Sequence, residues 1–117
     1  MLCEDRHDLR TLVRIVFEGE GLQVVGEAED GTSAPDMVAK ADPDVAVVDL
    51  AMPGVEGPEL VVILRERFPD LRIVVYSGSV EEGIGQRVVE LGADRFVSKD
   101  VSVERLAGVV REVGAAG

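Results

Sequence analysis

Three carboxylates, a hydroxyl and an ammonium, far apart along the chain, each follow directly on a short apolar stretch. Glu4 and Asp5 follow Met1-Leu2-Cys3, Asp49 follows Val45-Ala46-Val47-Val48, Ser77 follows Ile73-Val74-Val75-Tyr76, and Lys99 follows Phe96-Val97-Ser98. If these stretches are neighbouring strands of one parallel sheet, the five groups meet at the rim formed by the carboxyl ends, where open parallel sheets carry their chemistry. Carboxylates gathered there repel: at about 4 Å and an effective dielectric near 20, each pair costs about 4 kcal/mol. The cluster therefore calls for a cation. Oxygen ligands without His or Cys favour Mg2+, with Mn2+ as the alternative, and Mg2+ retains waters and leaves room for phosphate oxygens. A carboxylate beside such an ion, with an ammonium and a hydroxyl near it, is suited to phosphoryl transfer, with Asp49 as the nucleophile. Asp49 ends an apolar run that Met52-Pro53-Gly54 then stops, so it is expected to be presented rather than packed. Lysine stands at only two positions, Lys40 and Lys99, which makes the placement of Lys99 informative.

The elements that must carry these groups are legible in the apolar spacing. Leu9, Leu12, Val13, Val16 and Phe17 form one face of a helix that Gly19 and Gly21 end. Leu22 to Ala28 alternates and reads as a strand, with Asp30-Gly31 as a turn. Ser33 to Lys40 reads as a short helix capped by Thr32 or Ser33, with Pro35 tolerated in its first turn. After the Asp49 strand, the Pro53 to Gly57 loop leads to a helix from Pro58 to Phe68, and Leu71 to Tyr76 is the next strand. A helix from Val80 to Leu91 follows, and Gly83 and Gly85, each costing about 1 kcal/mol relative to Ala, mark it as the least stable. Arg95 to Ser98 is a short strand and Ser102 to Val113 the last helix, so residues 1–113 form one domain and residues 114–117 a tail or the start of a linker. Five strands alternating strictly with five helices imply right-handed crossovers and a single parallel sheet, an α/β fold. The first strand, Met1 to Cys3, is shorter than usual.

Composition narrows the partners. The formal charge of -11, from 12 basic and 23 acidic residues, disfavours direct contact with nucleic acid or an anionic membrane and favours proteins or cations. No secretory signal or membrane-spanning run is visible, and a lone Cys3 suits a reducing cytoplasm.

Taken together, Glu4-Asp5, Asp49 in VVDLAMPGVEG, Ser77, Phe96 and Lys99 in FVSKD resemble, in order and spacing, a receiver domain of two-component response regulators over essentially the whole chain. The resemblance implies a flavodoxin-like, doubly wound (βα)5 fold of three layers with strand order 2-1-3-4-5. It implies that Glu4, Asp5, Asp49 and the backbone carbonyl of Ala51 hold the metal. Asp49 would be the phosphoacceptor, Ser77 and Lys99 would contact the phosphoryl group, and Phe96 would be the aromatic switch. A sensor histidine kinase is the implied partner, with a homodimer on phosphorylation left open. The stretch VVGEAEDG, and Asp100 after Lys99 in place of a proline, are similar to the subclass joined to helix-turn-helix transcriptional outputs. Ala51 and Ser79 depart from the larger polar residues often found there, which implies slow self-dephosphorylation.

Alternatives fare less well. A haloacid-dehalogenase-type phosphatase needs a second Asp where Ala51 stands, and a flavin carrier needs a phosphate loop where Glu4-Asp5 would repel phosphate. A degenerate receiver used only for docking or dimerisation stays open, since fold alone does not fix activity.

Overall fold

The apolar runs become strands that bury both faces. The computed structural model describes residues 1–115. Among them lie β1 (Leu2–Cys3), α1 (His7–Gly19), β2 (Glu27–Ala28), α2 (Ala34–Ala41), β3 (Val45–Val48), α3 (Gly57–Arg67), β4 (Arg72–Ser77), α4 (Ile84–Leu91), β5 (Arg95–Ser98) and α5 (Val103–Ala115). All strand pairs are parallel, in the order β2-β1-β3-β4-β5. Side chains alternate across the sheet. Cys3, Ala46, Val48, Ile73 and Val75 pack with Val38 of α2, Leu60, Val61 and Leu64 of α3, and Ile84 and Val88 of α4. Leu2, Val47, Val74, Tyr76 and Val97 pack on the other side with Val13 and Phe17 of α1 and Leu106, Ala107 and Val110 of α5. The result is the three-layer, flavodoxin-like arrangement expected, with α1 and α5 on one face and α2, α3 and α4 on the other.

Several element ends shift by one residue, and four features differ from expectation in substance. Of the segment Leu22 to Ala28 only Glu27 and Ala28 pair as strand, because β1 offers only Leu2 and Cys3 in register with them. α4 begins at Ile84 rather than Val80: Gly83 sits at φ 77°, a left-handed conformation that breaks the helical path, and Val80 is fully out in solvent. Gly83 therefore precedes the helix, and only Gly85 lies inside it. Ser33 precedes α2, but its side chain caps nothing; Asp30 Oδ1 instead accepts the Ser33 N–H at 2.7 Å. α5 runs on through Gly114 and Ala115, residues expected in the tail; the last two tail residues lie outside the described ones.

The edge of the sheet remote from the acidic rim is clamped by Arg65 of α3. Its guanidinium donates to the carbonyls of Pro69 (2.9 Å), Leu71 (2.7 Å) and Gly92 (2.9 and 3.0 Å) and to Asp94 Oδ2 (3.0 Å). Asp94 Oδ2 also accepts the Ile73 N–H at 2.7 Å, which sets the start of β4 against the approach to β5. Gly92, at φ 131°, has no side chain to fill the space that Arg65 takes: a Cβ there would come within 2.8 Å of Arg65 Cγ.

Cys3 is 1% exposed in the middle of the core, and burial pushes its thiol up to about 12. A thiolate is the reactive form. Iodoacetamide is therefore expected to leave the native protein unmodified, by intact mass, over a time in which the urea-unfolded chain is fully alkylated. Rapid native labelling would mean that β1 opens locally.

Candidate functional site

Register brings the predicted groups together. Cys3 pairs with both Ala28 and Val48, so Glu4 and Asp49 leave adjacent strands side by side, their N–H groups bound to Ala28 O (3.0 Å) and Cys3 O (2.9 Å). Ser77 pairs with Ser98, and the Lys99 N–H reaches Ser77 O at 2.9 Å. One carboxylate oxygen from each of Glu4, Asp5 and Asp49 lies within 4.8 Å of the others. Lys99 Nζ donates to Glu4 Oε1 at 2.9 Å and to Asp49 Oδ2 at 3.1 Å, and Asp49 Oδ1 accepts the Ala51 N–H at 3.1 Å.

The carboxylates are less open than the sequence implies. Asp49, expected to be presented, is only 4% exposed and Glu4 7%, and the Lys99 ammonium spans the two; Asp5 remains in solvent. Burial, with the Asp49 hydrogen bond and charge adding to it, pushes the Glu4 carboxyl up to about 7 against the pull of Lys99. For Lys99, burial lowers the ammonium, but the hydrogen bonds and charges of Glu4 and Asp49 outweigh it and raise the pKa overall.

Two other expected residues lie at or near the rim with their side chains turned to local tasks. Ser77 is buried, and its Oγ accepts the Ser79 N–H at 3.1 Å, bracing the turn after β4. Phe96 is half-buried in β5, its ring laid over α4 at Gly85, where a Cβ would stand 3.1 Å from Phe96 Cδ1. That contact supplies the reason for a glycine inside α4.

Arg10, not anticipated, also belongs to the site. It stands on α1 at the stripe occupied three and seven residues later by Val13 and Phe17, and its Nη1 donates to the Glu4 carbonyl at 2.8 Å. A charged residue on the core-facing stripe of an amphipathic helix was the signal that could have found it.

The donor set suits a hard divalent ion. Its side-chain ligands are carboxylate oxygens, the nearby Cys3 thiol is held protonated, and the one positive charge shared by Glu4 and Asp49 comes from Lys99.

Residues 1–111 match the sequence profile of the response regulator receiver domain. The chain belongs to the response regulator receiver family. This receiver is 34% identical over 117 residues to the response regulator GacA of Pseudomonas aeruginosa, covering 98% of this chain and 55% of that protein. It is 34% identical over 116 residues to the nitrate/nitrite response regulator protein NarL of Escherichia coli, covering 98% of this chain and 54% of that one. The chain thus spans about half the length of these curated relatives. Among solved structures, the signal receiver domain of the putative response regulator NarL from Mycobacterium tuberculosis superposes with a TM-score of 0.91 at 27% identity, covering 99% of this receiver and 94% of that chain. Among the described residues, no helix is long and apolar enough to cross a membrane.

Proposed function

We propose that this receiver takes a phosphoryl group onto Asp49 from a phosphohistidine of a sensor kinase and passes the change to an output in a longer protein, with transcription as the favoured output. The observation that carries the reading is the single ammonium of Lys99 joining Glu4 and Asp49, with Asp5 beside them. Glu4, Asp5, Asp49 and the Ala51 carbonyl would hold Mg2+, or Mn2+ in its place. The bound ion supplies positive charge that offsets the carboxylates and the incoming phosphoryl oxygens.

In the transfer, an Asp49 carboxylate oxygen forms the new bond to phosphorus as the phosphorus–nitrogen bond to the histidine breaks, and the imidazole leaves with the electron pair. Lys99 already lies 3.1 Å from Asp49, so a small displacement brings its ammonium onto a phosphoryl oxygen. Ser77 Oγ accepts the Ser79 N–H, which leaves its O–H free to donate to a phosphoryl oxygen, and a shift of this hydroxyl toward the phosphoryl group would draw the turn between β4 and α4 with it. Two charge-assisted hydrogen bonds at about 1.5 to 3 kcal/mol each approach the roughly 5.5 kcal/mol needed to invert a 1:99 equilibrium. Phe96, resting on the first turn of α4, is placed to report that movement at the outer surface of α4, β5 and α5.

Intact mass after incubation with acetyl phosphate and Mg2+ tests the reading. One phosphoryl adduct is expected, absent when EDTA replaces the ion; no adduct under either condition would overturn it. Ala51 has no polar side chain, and Ser79 is exposed with its hydroxyl oxygen accepting the Glu81 N–H at 3.3 Å. Neither aligns water behind the phosphorus, so the adduct is expected to decay over minutes or longer; a half-life of seconds, followed by mass, would contradict this.

A further inference from the structure

We propose that Arg10 is a positioning residue for ion binding, holding the peptide between Glu4 and Asp5 in the pose that lets both carboxylates act as ligands; this role rests on the reading of the rim as a divalent-ion site. The Arg10 side chain is only 11% exposed. Its Nη1 donates to the Glu4 carbonyl at 2.8 Å, its Nε to Glu27 Oε1 at 3.0 Å, and its Nη2 lies 3.9 Å from Glu29 Oε2. Glu27 is held in turn by Arg14. One planar, charged fork thus joins α1, the end of β1 and β2.

Glu4 is where the chain leaves the sheet. Its N–H is fixed by Ala28 O at 3.0 Å, and Arg10 takes up its carbonyl. A peptide unit is rigid, so fixing that carbonyl fixes the whole plane linking Glu4 to Asp5. The orientation of the plane sets the directions in which both side chains leave the backbone. With the carbonyl turned toward α1, Glu4 Oε1 meets Lys99, and oxygens of Glu4 and Asp5 come within 4.8 Å of one from Asp49.

The charge of Arg10 does not account for its place. A guanidinium near a cation site repels the cation, and here Glu27 and Glu29 offset it, so what remains is geometry. Groups that orient metal ligands commonly change metal affinity tenfold to a hundredfold when removed.

The test is Mg2+ titration of the metal-free protein, following the amide NMR shifts of Asp49, Ala51 and Lys99, for wild type, Arg10→Lys and Arg10→Met. Arg10→Lys keeps the charge and loses the fork; Arg10→Met loses both. Positioning predicts a dissociation constant raised about tenfold in each, with shifts across β4 and α3 unchanged and phosphoryl uptake restored at saturating Mg2+. Wild-type affinity in Arg10→Lys, or tighter binding in Arg10→Met, overturns the role and leaves the site reading intact. A wild-type protein that shows no Mg2+ binding removes the site reading and the Arg10 role with it. If Arg10→Met does not fold, Arg10→Lys decides.

Discussion

Asp49→Asn is expected to take up no phosphoryl group from acetyl phosphate and Mg2+, under conditions that label the wild type. An amide oxygen is a poor nucleophile and cannot leave a stable acyl phosphate, while the side chain keeps nearly the same shape. The substitution also removes one of three carboxylates gathered within 4.8 Å, so it lowers repulsion in the metal-free fold, although the Lys99 contact to this side chain loses its ionic partner. Lys99 keeps Glu4 as a partner at 2.9 Å. The thermal midpoint by circular dichroism is therefore expected not to fall, which separates lost chemistry from lost folding. A phosphoryl adduct on the variant, mapped by peptide mass, would place the nucleophile on another residue.

Arg65→Ala is expected to cost about 2–4 kcal/mol of unfolding free energy, a large part of the roughly 5–15 kcal/mol that domains have in total. The truncation strips partners from the carbonyls of Pro69, Leu71 and Gly92 and leaves the Asp94 carboxylate beside the Ile73 N–H without its closest cation. Arg72, at 3.7 Å from Asp94, compensates in part, and the 26% exposure of the Arg65 side chain lets water compensate further. These two effects keep the expected loss from being larger. Urea denaturation gives the value directly, and a loss under about 1 kcal/mol would show that the clamp is dispensable. Because the clamp and the acidic rim lie at opposite ends of the strands, the folded fraction of Arg65→Ala is expected to accept phosphoryl groups as the wild type does.

What the sequence made legible was whatever is written locally. Apolar runs ending in Glu4, Asp49, Ser77 and Lys99 fix the strands and their rim, and the observed register places these residues at neighbouring strand ends. What it hid depends on partners far along the chain. The alternation from Leu22 to Ala28 has the form of a strand, but pairing requires a backbone opposite, and only Leu2 and Cys3 supply one. The partner of the buried Asp49 carboxylate is an ammonium 50 residues away. The start of α4 is not legible in the periodicity, in which Val80 counts as apolar, because the left-handed backbone at Gly83 decides where the helix can begin. Arg10 and Arg65 escaped because an arginine on a helix reads as surface charge until its acceptors, Glu4 O in one case and Gly92 O in the other, are in view.

The ring of Phe96 rests on a place where an atom is missing. Any side chain at residue 85 would bring its first carbon to 3.1 Å of the ring and force it aside. On the proposed role of Phe96, a single methyl there resets the threshold at which the domain fires, without touching the acceptor carboxylate, the ion or the lysine. Sensitivity and chemistry are then adjustable by separate codons, and a lineage can retune how readily it responds to its stimulus while the reaction itself stays as it was.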